Sequence, residues 1–232
     1  MIDKLPGWAE QMRDLFRSGS VAQFLIHGNI FDVVGIENSG SRRLLSLKSF
    51  LEDVMFESYD VVLEYDRGRG IRLAKGAEDW GEWLRQILGN EASTLQTRES
   101  GTALELIDRY LLRTLNLQAI GSTAKSPGRI AVIIDFAEFV VPRGDAIQLS
   151  GPFSANIVKV LGWANDPAIL HSNIVTVLLT EGLHDLNPLV VENPHIAALK
   201  IPLPAEAEVL DYLQTLIATE FPQLPSKCEV SM

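Results

Sequence analysis

Five apolar residues lead into a carboxylate in Arg129-Ile-Ala-Val-Ile-Ile-Asp135, and a second carboxylate, Glu138, follows three residues on. A continuous apolar run of that length reads as a strand buried on both faces, as in a parallel sheet. An Asp at the carboxyl end of such a strand points into the crevice where open α/β sheets bind ligands. There it can hold Mg²⁺ through water. Two further strand ends carry polar groups that could join it: His27-Gly28-Asn29 after the apolar run 21–26, and Thr180-Glu181 after 173–179. Together His27, Gly28, Asn29, Asp135, Glu138, Thr180 and Glu181 are the candidates for nucleotide and Mg²⁺ contact, with Asp135 the metal candidate. Arg67 and Arg69, in a Gly-rich turn, are candidates for an anion or a partner's carboxylate; a solvated turn is the simpler explanation of them.

The elements that must position these groups follow from pattern. An amphipathic helix over 5–18 presents Trp8, Met12, Leu15 and Phe16 on one face. A first strand covers 21–26, a loop 35–41 and a helix about 42–57. A second strand runs from Tyr59 to Tyr65, and helices cover 77–89 and 102–117. The central strand ends at Asp135, a helix covers about 152–165, and a strand covers 173–179. Ile201-Pro-Leu-Pro204 then leads into a helix over 205–218 that Pro204 opens and Phe221-Pro-Gln-Leu-Pro225 stops. The polar stretch 91–101 and the loop 121–128, which carries Lys125, are linkers. This order predicts an α/β three-layer sandwich with a mostly parallel sheet of about five strands. We divide the chain into an N-terminal helix (1–20), an α/β core (21–204) and a C-terminal helix and tail (205–232).

Bulk properties narrow the class. The 232 residues are 47% apolar, enough for one sizeable core. A net charge of −10 argues against an extended nucleic-acid surface, which would be basic. The single Cys228 excludes an intramolecular disulfide and suits a reducing, cytoplasmic setting. No signal sequence and no run of about 18 apolar residues is present, so no membrane span is expected. The four histidines (His27, His171, His184, His195) lack metal-ligand spacing, so no zinc site is expected.

From Arg129 to about Leu213 the chain resembles the nucleotide-binding core of AAA+ ATPases, of the P-loop NTPase superfamily. Asp135 falls at the Walker B position, and Thr180-Glu181 falls where the family keeps its sensor residue. Leu186-Asn187-Pro188-Leu189 resembles the family's Leu-Asp-Pro-Ala, and Ile201-Pro-Leu-Pro204 resembles its closing strand and turn. The first half looks like the P-loop-less amino-terminal half of two-part bacterial and plastid AAA proteins. The resemblance implies an AAA+/RecA-like core with its helical lid absent or truncated, next to an active ATPase module.

The departures are as informative. A phosphate loop needs a Gly-rich turn closing in Gly-Lys-Ser/Thr. After Gly28 there is one Gly and no Lys, and Asp32 adds negative charge. Phe136 stands where the family has its catalytic Glu, and Glu192-Asn193-Pro194-His195 stands where it has two arginine fingers. Such fingers alone are worth about 10³–10⁵ in rate. Three readings follow. The first is a non-hydrolysing module that assembles with an active AAA module or a client protein, with an exposed apolar patch and self-association compatible with it. The second is a working ATP-binding P-loop-type NTPase with an atypical phosphate loop, using His27, Asn29, Asp135, Glu138 and Thr180 with Mg²⁺. The third, an unrelated α/β hydrolase, ranks last because no Gly-x-Ser-x-Gly elbow is present. No resident cofactor is expected on the first reading; ATP with Mg²⁺ is the cofactor of the second.

Overall fold

A computed structural model describes residues 5–38, 41–89, 97–120, 127–144 and 151–219. Lys125, residues 91–96 of the 91–101 linker and the tail from residue 220, with Cys228, lie outside them.

Helix α1 (Gly7–Arg17) leads to strand β1 (Gln23–Gly28). An antiparallel hairpin follows, β2 (Val33–Asn38) against β3 (Ser41–Ser46), and runs into the short helix α2 (Leu47–Phe50), which widens into a π-helical turn over Leu51–Met55. Next come β4 (Val61–Asp66), β5 (Gly70–Lys75), α3 (Ala77–Leu88) and α4 (Ser100–Ala119). The remaining elements are β6 (Ile130–Ile134), α5 (Gly151–Asn165), α6 (Pro167–Leu170), β7 (Ile174–Thr180), α7 (Pro188–Val191), β8 (Ile196–Ile201) and α8 (Glu206–Thr219).

Among the described residues one six-stranded sheet organises the fold, in the order β5-β4-β6-β7-β1-β8. All neighbours pair in parallel except β5, which is antiparallel to β4 at the edge. The expected three-layer α/β architecture is therefore present, with one strand more than the five expected. The sheet divides the core in two. On one face Leu63, Tyr65, Val132, Ile134 and Leu178 pack with Trp80 and Trp83 of α3, with α4 and with α5. On the other, Phe24, Ile26, Val62, Ile133 and Val177 pack with Trp8 and Met12 of α1, with Val34 and Ile36 of the hairpin and with Phe50 of α2. Strand side chains alternate between faces with period two, so the apolar runs of β1, β4, β6 and β7 supply both cores.

Two expectations need correction. The loop at 35–41 and the helix from 42 are replaced by the hairpin, and α2 begins only at Leu47. Val34 and Ile36 alternate inward with strand period, whereas Leu44, Leu45 and Leu47 can be fitted to a helical stripe as readily as to a strand and a helix start. The sequence pattern also places no strand at β5, whose first residues, Gly70 and Ile71, fall in the turn that carries Arg67 and Arg69. The strand's apolar residues Ile71 and Leu73 alternate with Arg72, a weak signal over six residues. Among the described residues no helix is long and apolar enough to cross a membrane.

Candidate functional site

Because β1, β4, β6, β7 and β8 run parallel, their carboxyl ends share one edge of the sheet. Gly28, Asp66, Asp135, Thr180 and Ile201 meet there.

Strand parity builds the polar centre. Ala131 and Ile133 of β6 face the hairpin side of the sheet, and so does Asp135 two residues on. In β4, Val62 faces that side, and Glu64 follows it in period. In β5, Ile71 and Leu73 pack on the opposite core, which turns Arg72 toward Glu64. The helix arriving on this face is α2, whose second residue is Lys48. Ser46 caps it, its Oγ accepting the Ser49 N–H at 3.1 Å.

The result is a chain of charges in which Asp135 and Glu64 each keep only 9% of their side chains exposed. Lys48 Nζ lies 2.6 Å from Asp135 Oδ2 and 3.8 Å from Glu64 Oε2. Arg72 Nη2 donates to Glu64 Oε2 at 2.5 Å and lies 3.9 Å from Asp66 Oδ2. The other oxygen of Asp135 accepts the Phe136 N–H at 3.1 Å. Both carboxylate oxygens of Asp135 are thus engaged by the chain itself. Glu52, four residues beyond Lys48, is hydrogen-bonded to Glu64. Burial first, then that bond and the nearby carboxylates, push its acid up to about 8.

The turn after β1 is closely tied to the neighbouring strands. Gly28 N–H donates to Glu181 O at 3.1 Å, Asn29 N–H to Ile201 O at 3.1 Å, and Ile30 N–H to Gly28 O at 2.8 Å. Asn29 Nδ2 donates to Asp32 Oδ2 at 2.8 Å. Gly28 has φ +96°, and a β-carbon there would sit 2.5 Å from Ile201 O. His27 pairs across the sheet with Thr180 and Lys200; burial, then the Lys200 charge, lower its pKa. Thr180 is buried and its hydroxyl donates to Gly182 O at 3.3 Å. Glu181 is exposed and meets Gly28 through its backbone. Glu138 lies in a single 3₁₀ turn, Ala137–Phe139, with Oε2 buried and without a hydrogen-bond partner among the described residues. Arg67 lies over the Phe153 ring of α5, 5.6 Å from its centroid, while the Arg69 N–H closes the turn on Asp66 Oδ1. The structure thus gathers Asp135 with Lys48, Glu64 and Arg72, and His27 with Thr180 and Lys200.

Above the charged centre is an apolar rim. Phe136 has φ +51°, a left-handed conformation unusual for a bulky residue. Its ring meets Phe31, with centroids 5.7 Å apart. Phe31 is 60% exposed, Phe136 38% and Phe139 56%. Beside the rim a cavity of about 630 Å³ opens between α1, the turn after β1, the end of β8 and α8. Trp8, Asn29, Asp32, Lys200 and Tyr212 are among the residues on its walls.

Reading the sequence missed Lys48, Glu52, Glu64, Arg72 and the Phe31–Phe136 pair. A signal for Lys48 was present: Lys48-Ser49 opens the helix after the first strand, where a phosphate loop keeps its Lys-Ser/Thr. The intervening hairpin hid it.

The mostly parallel sheet, with Asp135 at the end of β6 and β7 standing between that strand and β1, is that of a Rossmann-like α/β domain. Residues 2–202 match the family described as AAA+ chaperone, N-terminal Rossmann-like domain, and the chain belongs to it. The expected likeness to an AAA-type N-terminal module is borne out. Among solved structures, a chain of the E. coli MS115-1 HORMA:CdnC:Trip13 complex is similar at 13% identity and a TM-score of 0.49. The likeness covers 91% of this chain and 60% of that chain. No curated protein matches the chain.

Proposed function

We propose that this domain is a non-hydrolysing assembly module of an AAA+ chaperone, and that its aromatic rim docks the chaperone's ATPase module. The observation that carries the reading is Phe136. It stands directly after Asp135, where a catalytic carboxylate would have to be. It is also held in a strained conformation that turns its ring onto exposed Phe31. Non-glycine residues with positive φ cluster at functional sites, and exposed aromatic clusters mark contact surfaces. Two further facts support the absence of phosphoryl transfer. The N–H groups that would cradle a phosphate already bond Glu181 and Ile201, and Lys48 sits on the carboxylate that would hold Mg²⁺. The net charge of −10 favours a protein over a nucleic-acid partner, and the single Cys228 suits a cytoplasmic setting.

The test is calorimetric titration with ATP and Mg²⁺. No heat of binding up to millimolar ATP, and no turnover, are expected. Micromolar binding that disappears in Asp135→Ala would overturn the reading. A second reading, a nucleotide held without hydrolysis, draws on the cavity beside the rim with Trp8, Tyr212 and Lys200 on its walls. It predicts binding that survives Asp135→Ala and is lost in Lys200→Ala.

A further inference from the structure

We propose that the Lys48 ammonium is a built-in replacement for the divalent cation at the carboxyl end of β6. On this view the chain carries its own counter-ion, tethered through α2, and has no need of a metal there. The inference rests on the reading of the domain as non-hydrolysing and adds how the site is kept charge-balanced.

Three observations carry it. Lys48 Nζ approaches Asp135 Oδ2 at 2.6 Å and lies 3.8 Å from Glu64 Oε2, so one ammonium serves two carboxylates from neighbouring strands. Those carboxylates are largely withdrawn from water, and a buried carboxylate left without a counter-charge is strongly destabilising. Lys48 is also held in place: its helix follows directly on β3 and is capped by Ser46, whose hydroxyl donates to Ser49 Oγ at 3.0 Å. In a phosphate loop the hydroxyl following the Lys serves Mg²⁺. Here it is bonded within its own turn.

The chemistry of the two cations separates the cases. Mg²⁺ binds oxygen at about 2.0–2.1 Å, demands octahedral geometry and keeps several waters. An ammonium brings one charge and three donors, needs no open coordination positions, and cannot dissociate from the chain. Both oxygens of Asp135 are engaged, by Lys48 and by the Phe136 N–H, and the Lys48 charge beside them opposes a second cation.

The experiment is thermal melting of the wild type and Lys48→Ala in chelator and in millimolar Mg²⁺, Mn²⁺ or Ca²⁺. The wild-type midpoint should be the same in all four. Lys48→Ala should melt several degrees lower in chelator and regain part of that loss with at least one divalent ion. The regain should vanish in Lys48→Ala/Asp135→Asn. The proposal is overturned if Lys48→Ala melts as the wild type does in chelator, if no divalent ion restores it, or if the wild type is itself stabilised by the ions. Should Lys48→Ala fail to fold, Lys48→Met and Lys48→Met/Asp135→Asn replace it. The double variant should then be the more stable of the two, and equal or lower stability overturns the idea. ATP silence in the wild type with no cation rescue in the variant sinks this inference alone; Mg-ATP binding by the wild type sinks the functional reading.

Discussion

Glu52 and Glu64 are hydrogen-bonded carboxyl groups, and burial of Glu52 is the main reason that its acid rises to about 8. The sign of the consequence follows from linkage. Folding raises this acid above its unfolded value of about 4.5, so the protonated form favours the folded state. The contribution is complete below that unfolded value and is lost as pH rises through about 8. Melting midpoints of the wild type should therefore fall relative to Glu52→Gln as pH goes from 5 to 9, because the amide stays neutral and can still donate to Glu64. Parallel pH profiles for the two proteins would refute the shared proton. None of this was legible in the sequence. Glu52, Lys48, Glu64 and Arg72 come from three elements, and only strand parity and the position of α2 bring them together. Asp135 was legible because an acid ending a buried strand is visible in one dimension.

At the scale of elements, the junction of β1 with β8 sets the shape of the strand-end site. Gly28 combines φ +96° with an Ile201 carbonyl 2.5 Å from where a β-carbon would stand. Gly28→Ala should therefore cost at least about 1–3 kcal/mol for the backbone conformation alone, with the displacement of Ile201 added to it. Chemical denaturation would measure this; a loss below about 0.5 kcal/mol would mean that the turn relaxes freely. The sequence showed Gly28 as a turn, since Gly between a strand and polar residues is a strong local signal. It did not show the hairpin of β2 and β3, because the tertiary packing of Val34 and Ile36 against α1 and α2 decides between strand and helix there. The edge strand β5 was hidden for a related reason. An edge strand is half solvated, and Arg72 and Lys75 interrupt its apolar pattern.

For the whole molecule, the buried and the exposed apolar groups have separate tasks. The two cores hold the sheet, and the Phe31–Phe136 rim stands outside both. Removing the left-handed strain at Phe136 gains about 1–2 kcal/mol, and losing the ring pair costs about 0.5–1.5 kcal/mol. Loss of the partly buried Phe136 ring's apolar contact adds about 1–2 kcal/mol of cost, so Phe31→Ser/Phe136→Gly should melt somewhat below the wild type yet remain folded. It should nevertheless lose association with the ATPase module in sedimentation velocity. Undiminished association would place the docking surface elsewhere on the domain. The α/β class and the parallel core were legible across the chain, because β1, β6 and β7 are apolar on both faces. The sheet order was not, because it depends on which strands meet in space.

That order has a consequence in time as well as in space. β1 is made first, yet its two neighbours, β7 and β8, are made last. Gln23 meets Thr176 across 153 residues, through a side-chain bond of 2.9 Å. At about 5–20 residues per second of synthesis, β1 waits roughly 8–30 s with its apolar Phe24, Leu25 and Ile26 unpaired. A nascent chain of this domain is thus itself in need of shelter until its final third has left the ribosome.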